Sequence, residues 1–121
     1  MEIPKIYESE YRFCLILWER EPVTTVELVK LCQKQLGWKR TTTYTVMKRL
    51  GERGVLVNDK GLVTSLVSKD EVQVAEIDEL VAKKFEGSFP AFIAAFTKRR
   101  KMSEAELDEI QCMIDRIRKG D

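Results

Sequence analysis

The 121-residue chain contains no histidine. That removes the side chain that most often serves as a general acid or base near neutral pH and most often ligates metals. Cysteine is nearly as scarce. Cys14, Cys32 and Cys112 are scattered, with no CxxC or CxC pair, which speaks against a disulfide scaffold and a structural zinc site. Without an imidazole to activate a thiol, the three read as packing residues rather than nucleophiles, and there is no glycine-rich phosphate loop. The expectation is a protein that is not an enzyme, with no metal and no cofactor. No apolar run approaches the ~18 residues of a membrane span. The start "MEIPKIYESE" has no basic region followed by an apolar one, so a cytoplasmic chain without membrane insertion is expected. Repeats and low-complexity stretches are also missing.

Hydrophobic residues make up 44% and charged residues 34%, the balance of a helix-rich globular chain of one domain or two very small ones. The net charge is only +1, but it is unevenly spread. Residues 1–67 hold 11 Lys/Arg against 8 Asp/Glu, whereas residues 68–121 hold 10 against 12. Residues 39–53 concentrate Lys39, Arg40, Lys48, Arg49 and Arg53 against Glu52 alone. Such a local patch says more about partners than the overall balance does.

Apolar spacing predicts a helix over residues 9–20, with Tyr11, Cys14, Leu15 and Trp18 inward, Ser9 as its N-cap and Pro22 ending it. A capping box, Thr24-x-x-Glu27, opens a second helix with Leu28, Leu31, Cys32 and Leu36 inward and Gly37 as its stop. A third runs from residue 39 to about Arg53. Two β-prone runs, 55–57 and 62–67, then flank "NDKG", a hairpin signal. Ser68-x-x-Glu71 opens a helix through about Phe85 with Val74, Ile77, Leu80 and Val81 inward; Gly87 breaks it, and Ser88 and Pro90 start another. In "FPAFIAAF" the aromatic surface of Phe89, Phe92, Ile93 and Phe96 is too large to leave in water. Ser103-x-x-Glu106 opens the last helix, whose Leu107, Ile110, Ile114 and Ile117 follow the 3-4 alternation of a helix–helix seam.

This order of elements is mainly α with a small β-hairpin: a winged helix-turn-helix over residues 1–67 and a helical dimerisation region over 68–121. The third helix, "KRTTTYTVMKRL", is the informative one. Threonine is a poor helix former, yet Thr43, Val46, Met47 and Leu50 make an inward stripe. The opposite face carries Thr41, Tyr44, Thr45 and Lys48, flanked by Thr42 and Arg49. Hydroxyls, methyls and cations of this kind suit phosphates and base edges in a major groove. Lys39 and Arg40 at its start and Lys60 at the hairpin tip complete a candidate DNA-binding set.

The segments "SEYRFCLILWE", "P-x-T-x-x-ELV", "GWKRTTTYTVMKRLGERGVL", "FEGSFPAFIAAF" and "KMSEAELDEIQCMI", in this order, resemble the penicillinase-repressor family, the BlaI/MecI/CopY type of bacterial transcriptional regulator. The resemblance covers nearly the whole chain. It implies a homodimeric winged-helix repressor of double-stranded DNA with a palindromic operator, often built on TACA/TGTA half-sites. Thr42, Thr45 and Arg49 fall where the family places DNA-facing residues. It implies dimerisation through the C-terminal helices, here Phe85, Phe89, Phe92, Phe96, Leu107, Ile110, Ile114 and Ile117. In the antibiotic-responsive branch a membrane sensor with a zinc-protease domain leads to cleavage at an Asn-Phe bond in the dimerisation region. The matching pair here is Ala95-Phe96. The family often has Ser or Asn where Lys39 stands, and the copper branch's C-terminal CxC cluster is lacking. A second reading stays open: a winged-helix regulator released from DNA by a small ligand or protein partner without cleavage, with Phe85, Phe89, Phe92 and Phe96 lining a pocket instead of a dimer core.

Overall fold

The computed structural model describes residues 2–120. Its elements are α1 (Glu8–Arg20), β1 (Val23–Thr24), α2 (Thr25–Leu36), α3 (Arg40–Glu52), β2 (Leu56–Asp59), β3 (Leu62–Ser65), α4 (Lys69–Lys84), α5 (Phe89–Arg99) and α6 (Glu104–Lys119). They form two compact units, Met1–Ile77 and Asp78–Asp121.

The first unit has the winged-helix arrangement. Its core joins Phe13 and Leu17 of α1, Leu28 and Cys32 of α2, Leu50 of α3, and Val55 and Val63 around the hairpin, all without solvent exposure. Full burial of one such leucine or phenylalanine contributes roughly 1.5–3 kcal/mol. The sheet is antiparallel in the order β1-β3-β2. β1 pairs Val23 with Val63 and has no sequence signal, because a two-residue strand directly after Pro22, whose second residue is the α2 cap, shows no alternation. Thr24 ends that strand and also caps α2, accepting from the Glu27 N–H at 3.1 Å. Gly37 closes α2 in the left-handed conformation, φ 70°. The hairpin closes with Asp59 opposite Leu62. Lys60 and Gly61, at φ 53° and 89°, therefore form a two-residue turn whose positive φ values match strand twist. Asn58 Oδ1 accepts from the Gly61 N–H at 2.9 Å.

α1 departs from expectation. Phe13, Cys14, Ile16 and Leu17 are its buried apolar residues; Tyr11 and Trp18 are half-buried at the rim and Leu15 is exposed. The six apolar residues of "FCLILW" cover most of a helix circumference, so periodicity does not single out one side. Ser9 is not the cap: the helix begins at Glu8, and Tyr7 holds the extended N-cap position. α4 also differs. Val72 enters the core and Val81 is buried, whereas Val74, Ile77 and Leu80 are exposed in the single chain. The α4 start is held by the Ser68–Glu71 capping box and by Gln73 Nε2, which donates to the Tyr11 hydroxyl at 3.3 Å. Just before it, Trp18 Nε1 donates to the Val67 carbonyl at 2.9 Å.

In the second unit, α5 starts at the Ser88 cap with Pro90 in its first turn. α6 runs from the Ser103–Glu106 capping box to Gly120 in the left-handed conformation. Neither helix buries a residue.

Candidate nucleic-acid interface

α3 rests on Thr43, Val46, Met47 and Leu50, all buried. The opposite face is open to solvent: Lys39, Arg40, Thr41, Thr42, Tyr44, Thr45, Lys48 and Arg49 are all exposed. The threonines are accommodated by hydrogen bonds to the turn before them. Thr45 Oγ1 donates to the Thr41 carbonyl at 2.9 Å and Thr43 Oγ1 to that of Lys39 at 3.3 Å. With its donor engaged, Thr45 offers lone pairs and a methyl group to an outside partner.

The helix start is unusual. Lys39 occupies the N-cap without a side-chain cap bond, and the first turn holds no acidic residue. Free backbone N–H groups, the positive end of the helix dipole and two cations thus coincide, an arrangement that favours anions. The Arg40 guanidinium lies 5.6 Å from the Tyr44 ring centroid, within cation–π reach.

Of the five cations counted in residues 39–53, Arg53 is not available: it is bonded to the buried Glu10. Among the described residues Lys39, Arg40, Lys48 and Arg49 form no ion pair. Lys60 is exposed at the hairpin turn, and β2 of that hairpin packs against α3. The sequence missed the Glu10–Arg53 pair, because a glutamate in a first helical turn reads as a surface residue. It also missed Glu21, whose carboxylate accepts from the Ser65 N–H and hydroxyl at 2.8 Å.

The residues assigned to self-association lie in a different setting. Phe85 and Phe92 are half-buried; Phe89, Phe96, Leu107, Ile110, Ile114 and Ile117 are exposed. The Phe92 ring is 5.5 Å from Phe85, 5.7 Å from Phe89 and 6.3 Å from Phe96. Ala95 and Phe96 lie inside α5 and are both exposed.

The thiols are poor nucleophiles where they are buried. Burial pushes Cys14 up to about 12, with the Glu10 carboxylate adding to the shift and Arg53 opposing it. Burial pushes Cys32 up to about 11, with the Thr43 hydroxyl opposing the shift. Cys112 is exposed. Among the described residues no group of His, Cys, Asp or Glu could hold a metal ion, and no helix is long and apolar enough to cross a membrane.

The sequence matches the family model described as penicillinase repressor over residues 6–116. Among solved structures it is similar to a Staphylococcus aureus MarR in complex with salicylate and kanamycin, at 16% identity and TM-score 0.45, covering 94% of this chain and 72% of that one. It is also similar to the transcriptional regulator SlyA, at 18% identity and TM-score 0.41, covering 93% and 74%. No individual curated protein matches significantly.

Proposed function

The chain belongs to the penicillinase repressor family, a family of transcriptional regulators, and from that premise we propose that it is a homodimeric repressor of a palindromic operator. The DNA-binding domain is residues 1–67 and the dimerisation domain 68–121. The observation that carries this reading is the outer face of α3, where Lys39, Arg40, Lys48 and Arg49 stand exposed among threonines and none is paired with a carboxylate of the described residues. Lys39, Arg40 and Lys48 neutralise phosphates, as does Lys60 on the wing. Thr41, Thr42, Tyr44, Thr45 and Arg49 meet phosphates or base edges. The exposed stripes of α5 and α6 pair with those of a second copy and set two α3 helices at successive major grooves, about 10 bp or a small multiple apart. Such a repressor works in the cytoplasm, where it blocks polymerase at a promoter.

For derepression we propose cleavage at Ala95-Phe96, driven by a membrane sensor protease system responding to β-lactams. Loss of α6 from the dimer would then release the operator. Because the pair is helical, α5 must unwind before a protease can seat an extended substrate. Alanine at the position where the resemblance places asparagine favours a second route, release by a small ligand or protein partner without cleavage.

The test is fluorescence anisotropy of a labelled TACA/TGTA palindrome against a scrambled duplex over a salt series. Selective binding with two chains per duplex and a steep salt slope is the expected result. Equal binding to both duplexes, together with no sequence enriched from a random pool, would sink the repressor reading.

A further inference from the structure

A shallow groove of about 340 Å³ beside the second half of α3 is lined by Tyr7, Glu10, Arg49, Glu52 and Arg53. Its floor is Glu10, whose side chain is only 8% exposed. One oxygen of that carboxylate accepts from the Tyr7 N–H at 2.9 Å and the other is bonded to Arg53 Nη2. Arg53 Nη1 donates to the Lys5 carbonyl at 2.6 Å. The guanidinium lies 5.4 Å from the Tyr7 ring centroid. Arg49 stands one helical turn before Arg53, so the two share a helix face.

A buried carboxylate deprived of its cation is strongly disfavoured and recruits whatever cation can reach it. Arg49 lines the same groove and pairs with no carboxylate among the described residues. We infer that Arg53 is a positioning residue for DNA recognition: by saturating the buried Glu10 carboxylate it leaves Arg49 free to face DNA. This inference rests on the proposed function, in which α3 reads DNA through Arg49. The bland alternative is that Arg53 only fastens residues 5–7 and α1 to α3. That role would change stability and leave base preference alone.

The experiment uses the full chain. The wild type first selects its operator from a randomised duplex pool. Variants are then titrated against that operator and each of its single base-pair substitutions, with folding followed by circular dichroism. Arg49→Ala should lose about tenfold or more of the discrimination at one base pair, and Arg53→Gln should lose it at the same base pair. Glu10→Gln combined with Arg53→Gln restores it, because net charge equals that of the wild type and no carboxylate remains to capture Arg49. Arg53→Lys, which keeps a cation on Glu10, should retain it.

Full discrimination by Arg53→Gln, or a double variant no better than the single one, overturns the inference. So does an Arg53→Gln chain that fails to fold whether or not the double folds. Arg49 would then have failed to reach the unpaired carboxylate, or Arg53 would be needed for folding itself. If Arg49→Ala changes no base preference, the reading of α3 beneath the inference has failed instead, which is a distinguishable result.

Discussion

α3 and α6 are opposites. α3 has weak local support: no side-chain cap, no acidic first turn and four threonines. It is nevertheless firmly placed, because Thr43, Val46, Met47 and Leu50 are buried in the first unit. α6 has strong local support, with a complete Ser103–Glu106 capping box and a left-handed Gly120 stop. Yet it buries nothing, and Leu107, Ile110, Met113, Ile114 and Ile117 stay 40–74% exposed. Tertiary packing holds the helix with the polar outer face, and local signals hold the helix with the apolar one. A helix of the first kind can offer its outer face to a charged ligand without losing its place. A helix of the second kind leaves its apolar stripe uncovered in the single chain, and contiguous exposed apolar patches are the kind of surface that marks interaction sites.

The largest test of this contrast places a charge in the α6 stripe. Ile114→Glu should leave the helix intact but prevent pairing. Light scattering should then report one chain per particle, and apparent operator affinity should fall roughly 10²–10⁴-fold with the loss of the linked second site. An unchanged dimer would show that α6 serves something other than self-association. Next in size is a paired truncation. Leu50→Ala, at a fully buried position, should cost about 2–5 kcal/mol in denaturant unfolding. Ile110→Ala, at a 40% exposed one, should change the stability of the dilute monomer by only about 0.5 kcal/mol or less. Equal costs would mean that the α6 stripe is already packed in the single chain.

The same contrast explains what could be read in advance. Helix starts were legible where a side chain caps locally, as at Thr24, Ser68, Ser88 and Ser103. The inward stripe of α3 was legible because its polar residues isolate four inward positions. In α1 the apolar residues run consecutively, so only its neighbours decide that Phe13, Ile16 and Leu17 join Cys14 in the core while Leu15 stays exposed. β1 is too short to carry a pattern. Glu10 and Arg53 stand 43 residues apart in the chain, and no local rule joins them. The inward stripe of α3 could therefore be read from sequence, but that Arg53, just past its end, is already occupied could not.

Within the α3 face the two basic residues of the second half should behave differently. Arg49→Ala, if it removes a base contact, should relax preference by about 1–3 kcal/mol at one base pair; an unchanged preference would restrict Arg49 to the backbone. Lys48→Ala should weaken all duplexes alike and lower the salt slope by about one unit. A changed base preference would move Lys48 into the reading set.

The smallest effect separates the two units through their cysteines. Near pH 8 a thiol reagent should label Cys112, exposed on α6, while Cys14 and Cys32 stay protected until the first unit unfolds. Both buried thiols are raised from the ordinary 9.0, Cys14 to about 12 and Cys32 to about 11. In each case the folded state keeps a proton that the unfolded chain releases. Their stabilising contribution is therefore complete below pH 9.0 and declines as pH rises from 9.0 through about 11 and then about 12. A Cys14→Ala, Cys32→Ala chain should start less stable, because it leaves cavities, but lose less stability than the wild type over that window. Parallel pH profiles of unfolding free energy for the two chains would mean that the thiols are not held protonated by burial, and prompt labelling of Cys14 at pH 8 would mean that the core of the first unit opens to the reagent without global unfolding.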